Sequence, residues 1–263
     1  DRASDMQSQG FNVFNKQGAY VVTITPHQTW EAGPLQDKRV RLALSLAIDR
    51  AALVKTMLGG RGAVTGTYPG GTMNLGYKPL DPRPYDIKQA KQLLADAGYP
   101  NGFKLNFYTY PLSGVPGATA IAEAIAGFWS QIGVQSKIVK MDYGGFRKIW
   151  AEKNLPNPTV SGPVAIGNRL LPHGLYQVLN HSKGVIASTM VPELDSLIDA
   201  LAATPDKNKY ADLSNQINKF IYDNEFQIAL FEAHATYATS KEIAAWDLGK
   251  DAYGINLKNL YTR

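Results

Sequence analysis

The segment Phe103-Lys104-Leu105-Asn106-Phe107-Tyr108-Thr109-Tyr110, the loop Pro111 to Gly117, the run Thr119 to Ile132 and the segment Val134 to Val139 together decide the fold class. The first and last are short, bounded by glycine, and rich in aromatic or β-branched residues, the composition of strands. Between them Ile121, Ile125, Phe128 and Ile132 recur at helical spacing and mark one apolar face. Strand, helix and strand in that order predict a βαβ unit, whose right-handed crossover makes the two strands parallel. Open α/β sheets bind ligands outside the carboxyl ends of their strands, so Pro111 to Gly117 is expected beside a site.

Working outward toward the amino terminus, Asp86 with Gln89 three residues on makes a capping box for a helix over Ile87 to Ala97, closed by Gly98. Arg61 to Pro84, punctuated by glycine and proline, is longer than an ordinary connection and reads as a loop near a site. Gln36 to Leu58 carries apolar residues at helical spacing with a break near Asp49. Ala19 to Thr25 reads as a strand stopped by Pro26, behind a short helix ended by Gly10. Toward the carboxyl terminus come a helix over Tyr143 to Glu152 and a Pro- and Gly-rich extended region to Gly167. Helices over Leu170 to Leu179, Pro192 to Ala202 and Asp206 to Asn224 follow, then strands over Phe226 to Phe231 and Ala235 to Thr239.

A chain of 263 residues with 44% hydrophobic content can bury a sizeable core. Its net charge of +5 is scattered, the densest cluster being Lys38-Arg39 with Arg41, so there is no basic stripe for nucleic acid. No cysteine is present, which removes disulfides, thiolate metal sites and cysteine nucleophiles. No apolar run approaches the roughly twenty residues that cross a bilayer. Asp1 to Asp5 is too polar for a secretion signal, so the leader of an exported chain is expected outside this sequence.

Motifs of catalysis are missing as well: there is no Gly-x-Ser-x-Gly elbow and no His-Glu-x-x-His, and the Gly59 to Gly66 loop lacks a phosphate-loop lysine. His27, His173, His181 and His234 have no metal-ligand spacing, and Asp195 with Asp199 reads as ordinary helix surface. No cofactor and no metal are expected.

The block Leu35-Gln36-Asp37-Lys38-Arg39-Val40-Arg41-Leu42-Ala43-Leu44-Ser45-Leu46-Ala47-Ile48-Asp49-Arg50 closely resembles the family 5 extracellular solute-binding proteins, the oligopeptide, dipeptide and nickel receptors of ABC importers. The resemblance continues through Tyr85 to Phe103, and more weakly through Pro192 to Phe231. It implies an α/β, type II periplasmic-binding-protein-like lobe, a mixed sheet flanked by helices, with hinge strands and remnants of the other lobe. By analogy residues 1–34 are a hinge strand and remnant of the first lobe, 35–231 the second ligand-binding lobe and 232–263 the return to the first. Such receptors close two lobes around a solute, so one lobe alone is expected to bind poorly.

Arg39, Arg41 and Asp49, interleaved with Leu and Ala, read as a solvated or salt-bridged helix face and not as ligand contacts. Trp30, Tyr68, Tyr108 and Tyr110 fall in or beside loops, where rings stack on a peptide and polar tips bond to it. Asn168, Arg169 and His173 stand where peptide binders of the family carry an acidic stretch that meets the ligand's amino terminus. Ser161 to Gly167 contains no carboxylate, so Arg169 is expected to pair with a ligand carboxylate or another anion.

The resemblance thus implies a periplasmic, monomeric substrate-binding component of an ABC importer. It would capture a peptide or similar small polar solute and deliver it to a permease in the cytoplasmic membrane, with no turnover and no nucleic-acid partner. A hydrolase on an α/β scaffold and a chemosensory receptor of the same fold are the rival readings.

Overall fold

Aspartate side chains open five helices by accepting a hydrogen bond from a backbone N–H of the first turn: Asp37, Asp49, Asp86, Asp142 and Asp206. The computed structural model describes residues 2–27, 30–69, 74–111, 115, 117–167, 170–249 and 257–262. In chain order these hold α1 (Arg2–Ser8), β1 (Asn12–Pro26), α2 (Lys38–Leu46), α3 (Arg50–Met57), β2 (Gly62–Val64), α4 (Ile87–Asp96) and β3 (Lys104–Thr109). Then follow α5 (Ala118–Ser130), β4 (Gln135–Lys140), α6 (Tyr143–Ala151), β5 (Thr159–Gly167), α7 (His173–Leu179), α8 (Pro192–Ala202) and α9 (Lys207–Asn224). The last are β6 (Ile228–Thr239), β7 (Ile243–Trp246) and β8 (Leu260–Thr262).

β3 and β4 pair in parallel, Lys104 opposite Gln135 through Thr109 opposite Lys140, as the crossover rule requires. Their entry depends on two glycines. A Cβ on Gly102 would lie 2.1 Å from the Gly133 carbonyl oxygen, and both residues have left-handed φ, 73° and 83°. β3 also pairs in parallel with β5, and β5 in turn runs antiparallel to β1, giving a mixed sheet in the order β2-β6-β1-β5-β3-β4.

Two elements differ from the sequence expectation. The Pro- and Gly-rich region before Gly167 is a strand at the centre of the sheet, because its neighbours β1 and β3 satisfy its backbone from both sides. The two strands expected around Phe226 and Ala235 are one, β6, held along its length by β1. A register shift between Lys16 and Tyr20 divides that ladder into an outer half, Asn12–Lys16 against Ala235–Thr239, and an inner half running to Ile24 opposite Ile228.

Alternation along the strands sends successive side chains to opposite faces. Val22, Ile24, Leu105, Phe107, Val160 and Ile228 face a core shared with α2 to α5, in which the buried Trp129 donates Nε1–H to the Leu44 carbonyl at 2.8 Å. On the opposite face Tyr108 and Tyr110 meet Phe146 and Trp150 of α6, while Ile166 packs with α7, α8 and α9.

Charged groups stitch the layers together. Arg41, expected on a solvated face, is only 3% exposed. It remains a scaffold residue: its guanidinium donates to the carbonyls of Leu35, Gln36 and Asn224 and lies 4.8 Å from the Phe226 ring centroid. Those carbonyls, left over at helix and loop ends, are what make burial of the cation tolerable. Arg39 is exposed and paired with Asp37. Among the described residues no helix is long and apolar enough to cross a membrane.

Candidate functional site

The carboxyl end of β3 delivers Tyr110 to the face of the sheet covered by α6 and α7. There a cavity of about 310 Å³ opens, walled by Tyr110, Trp150, Val164, Leu175 and Ile186, floored by Thr23, Thr25 and Gln227, with Arg147 on its lining. Thr23 and Thr25 reach it because Val22 and Ile24, their neighbours along β1, point the other way into the main core. A larger cavity, about 430 Å³, lies between α1, α3 and the paired β1 and β6, lined mainly by apolar groups such as Met6, Val13, Met57 and Leu58. The smaller one has the chemistry, since polar groups converge on it from β1, α6, the residue after β3 and the residue before β6.

Those polar groups form connected chains. Thr25 Oγ1 donates to Gln227 Oε1 at 2.8 Å. Tyr110 shares a hydrogen bond with Ser161, whose Oγ lies 2.7 Å from His27 Nε2. His27 is fully buried, with its ring edge-on to Trp150 at 4.5 Å. Burial lowers its pKa to about 3, so the imidazole is neutral at physiological pH. Burial likewise pushes the Tyr110 phenol up, against a smaller opposing effect of the Ser161 bond, so it keeps its proton and remains a donor. Thr23 Oγ1 is buried and has no hydrogen-bond partner among the described residues.

Of the residues singled out from sequence that are among the described residues, Tyr110 alone lines this cavity. Tyr108 is buried beside it against Phe146, ring centroids 5.4 Å apart. Tyr68 is 2% exposed in the cluster of Tyr176, Leu194 and Ile198, where its ring has no open face for a ligand. His173 is exposed at the first residue of α7, and its Nδ1 lies 3.2 Å from Tyr210 Oη. Trp30 sits in a turn, partly exposed. Asn168 and Arg169 lie outside the described residues, as do residues 112–114 and 116 of the loop after β3. Thr23, Thr25, His27, Trp150, Ser161 and Gln227 carried no local signal in the sequence; only the alternation of Thr with Val and Ile in β1 hinted at a polar inner face.

Asp195 is more than surface chemistry: it accepts from the Ser182 backbone N–H at 2.8 Å and from the Ser182 hydroxyl at 2.5 Å. Buried His181 lies near both Asp195 and Asp199, 3.8 and 3.3 Å away. Among the described residues no group of three or more His, Cys, Asp or Glu side chains is arranged to hold a metal ion.

The comparisons with known proteins agree on one family. A family model described as bacterial extracellular solute-binding proteins, family 5 Middle, matches residues 2–158. The chain is 28% identical over 224 residues to heme-binding protein A of Haemophilus influenzae, covering 83% of this chain and 39% of that protein. It is 30% identical over 216 residues to the dipeptide-binding protein of Escherichia coli K12, covering 77% and 38%. In three dimensions it is similar to the dipeptide binding protein from Pseudoalteromonas sp. SM9913 in complex with Met-Leu, with TM-score 0.83 and 21% identity, covering 100% of this chain and 52% of that one. The chain therefore spans less than half the length of the curated relatives it matches and about half of that solved structure. The expected architecture is the one found, a mixed sheet flanked by helices in a type II periplasmic-binding-protein-like lobe. With more than half of its length inside the family model and this lobe architecture throughout, the chain belongs to the bacterial extracellular solute-binding proteins, family 5.

Proposed function

We propose that the chain is a ligand-binding lobe, with its hinge strands, of the substrate-binding component of an ABC importer. The observation that carries this reading is the family match over residues 2–158. The receptor holds a peptide or similar small polar solute reversibly between two lobes in the periplasm and hands it, as a monomer, to a permease in the cytoplasmic membrane. Residues 35–231 form the second lobe, while 1–34 and 232–263 lead to and from the first. The inner halves of β1 and β6 enter the core of the second lobe, and their outer halves are the hinge.

The ligand meets this lobe at the carboxyl edge of β3 and β5, where Tyr110 and the segment before α7 stand. Leu170 and Leu171 are exposed there, 57% and 46%, which favours an apolar covering by solute or lobe closure. Asn168, Arg169 and His173 are the polar contacts to the solute in this reading, and Arg169 pairs with one of its anionic groups. Tyr68 and Tyr108 support the site from the core. The names of the relatives, a dipeptide receptor and a heme-binding protein, both describe solutes with carboxylates, in keeping with an arginine partner.

Native mass spectrometry of the chain expressed with the flanking sequence of its gene tests the reading. A peptide or acidic solute that travels with the protein and leaves intact on denaturation is expected, and Arg169→Ala should release it. A protein that stays empty against peptide libraries, or that chemically converts what it is offered, overturns the transport reading in favour of a sensory or hydrolytic one.

A further inference from the structure

We infer that the cavity beneath α6 and α7 is a side-chain subsite of the bound solute, built for a ring or short apolar chain tipped by a neutral hydrogen-bond acceptor. The inference rests on the solute-receptor reading above and deepens it by naming a chemical class.

Size sets the first limit. A dry cavity of about 150 Å³ is enough to hold benzene. The space here, about 310 Å³, takes a ring together with a polar substituent and is partly open at its mouth. Apolar walls come from Leu175, Val178 and Ile186, and Trp150 supplies an aromatic one.

The floor sets the second limit. Thr23 Oγ1 has no partner among the described residues, and a buried hydroxyl without one is disfavoured until something bonds to it. Tyr110 adds a directed proton. Neutral His27 carries one N–H, and placing it on Nδ1 would bury a donor with no acceptor, since that atom has no partner. The bonding network therefore assigns the proton to Nε2, which donates to Ser161 Oγ. Ser161 then directs its own hydroxyl to Tyr110 Oη, and the phenolic proton is left free to point into the cavity. Two hydroxyls with unspent hydrogen-bonding capacity thus await a group on the floor of the cavity, beneath its apolar walls.

Charge sets the third limit. Among the described residues no carboxylate lines the cavity and the one ionic group on its lining, Arg147, is cationic and exposed, so ammonium and guanidinium tips are disfavoured. Exposed Arg147 would not offset the burial of a carboxylate against the two hydroxyls, so a neutral acceptor such as a ketone, amide or ether fits all three limits.

Titration of the full chain with acetophenone, ethylbenzene and benzylamine, followed by the methyl resonances of Leu175, Val178 and Ile186, reads the preference directly. Acetophenone should bind about tenfold more tightly than ethylbenzene, the ratio that one satisfied buried hydrogen bond supports, and benzylamine more weakly than either. Thr23→Val should remove most of that ratio while keeping ethylbenzene affinity, and Tyr110→Phe should lower it further. Val178→Trp, at a half-exposed position, fills the space and should abolish binding of all three.

Equal affinities for acetophenone and ethylbenzene, or shifts that ignore Val178→Trp, would overturn the subsite. The receptor reading is separated by native mass spectrometry of the Val178→Trp protein. A natural solute retained there at full occupancy sinks the subsite and leaves the receptor standing, whereas its loss supports both.

Discussion

His27 Nε2 lies 2.7 Å from Ser161 Oγ, a serine and an imidazole in hydrogen-bonding contact and both sealed from solvent. Such a contact is half of a nucleophile–base arrangement, but an activated nucleophile also needs a basic imidazole oriented by a third group. Here burial has lowered the imidazole pKa to about 3, and among the described residues Nδ1 has no partner to orient it. The pair positions Tyr110 and lacks the basic, oriented imidazole that would activate Ser161.

The same pair predicts acid sensitivity. Below pH 6.5 the unfolded chain protonates His27 while the folded chain refuses the proton until about pH 3, so stability falls as pH drops through that window. Each pKa unit is worth about 1.4 kcal/mol, which sets the full loss at about 5 kcal/mol. Urea unfolding between pH 7 and pH 4 should show His27→Phe losing stability less steeply than the parent protein. Parallel pH profiles would refute the assignment.

Glu225, 3% exposed, accepts from Arg83 Nε at 2.5 Å and also feels the charge of buried Arg50. Removing one member of such a pair strands the other, at a cost of about 3 kcal/mol or more. Arg83→Met should therefore lower the urea midpoint sharply at pH 7. Burial already raises the Glu225 carboxyl, and its folded pKa rises further without Arg83. Protonation then relieves the stranded charge, so the penalty should shrink as pH falls toward 5. A pH-independent penalty would mean that Arg83 acts through packing on Tyr222, 3.7 Å from its guanidinium carbon, and not through charge.

Much of this architecture was legible because its signals are local. Asp86 and Gly98 bracket α4, Asp206 opens α9, and the apolar face of α5 sits between two strands whose parallel pairing follows from chirality alone. β5 was hidden because Gly162 and Pro163 read as breakers, although neighbours on both sides hold the strand. The site was hidden for a different reason. Thr23, Tyr110, Ser161 and Gln227 are brought together by sheet order, and no spacing along one segment encodes a contact between strands so far apart. Burial of Arg41 was equally non-local, since the carbonyl it reaches at Asn224 is 183 residues away.

Asp86 offers a local test. Its side chain accepts from the Gln89 backbone N–H at 2.8 Å, satisfying one of the orphan donors at the start of α4. Asp86→Ala should cost about 1 kcal/mol in urea unfolding and Asp86→Asn a smaller amount, because the amide oxygen still caps. Equal losses from both substitutions would assign the effect to charge at the helix start.

Phe146 is where the stability of the lobe and the shape of the site become one problem. Fully buried, it stacks on Tyr110 at 4.8 Å and 25°, and touches Tyr108, Trp150 and His27 at centroid distances of 5.4, 5.6 and 5.9 Å. Truncation to Ala leaves a void that the four neighbouring rings cannot close, at a cost of about 3 to 5 kcal/mol. Phe146→Leu keeps most of the volume and should cost less, about 1 to 2 kcal/mol, while removing the flat surface that holds the Tyr110 ring. The leucine variant should stay folded by urea unfolding yet lose part of its near-ultraviolet circular dichroism, because Tyr110 and Trp150 gain freedom. An unchanged aromatic signal in a destabilised Phe146→Leu protein would show that Ser161 and His27 alone fix Tyr110, and that α6 supplies bulk without setting the geometry of the site.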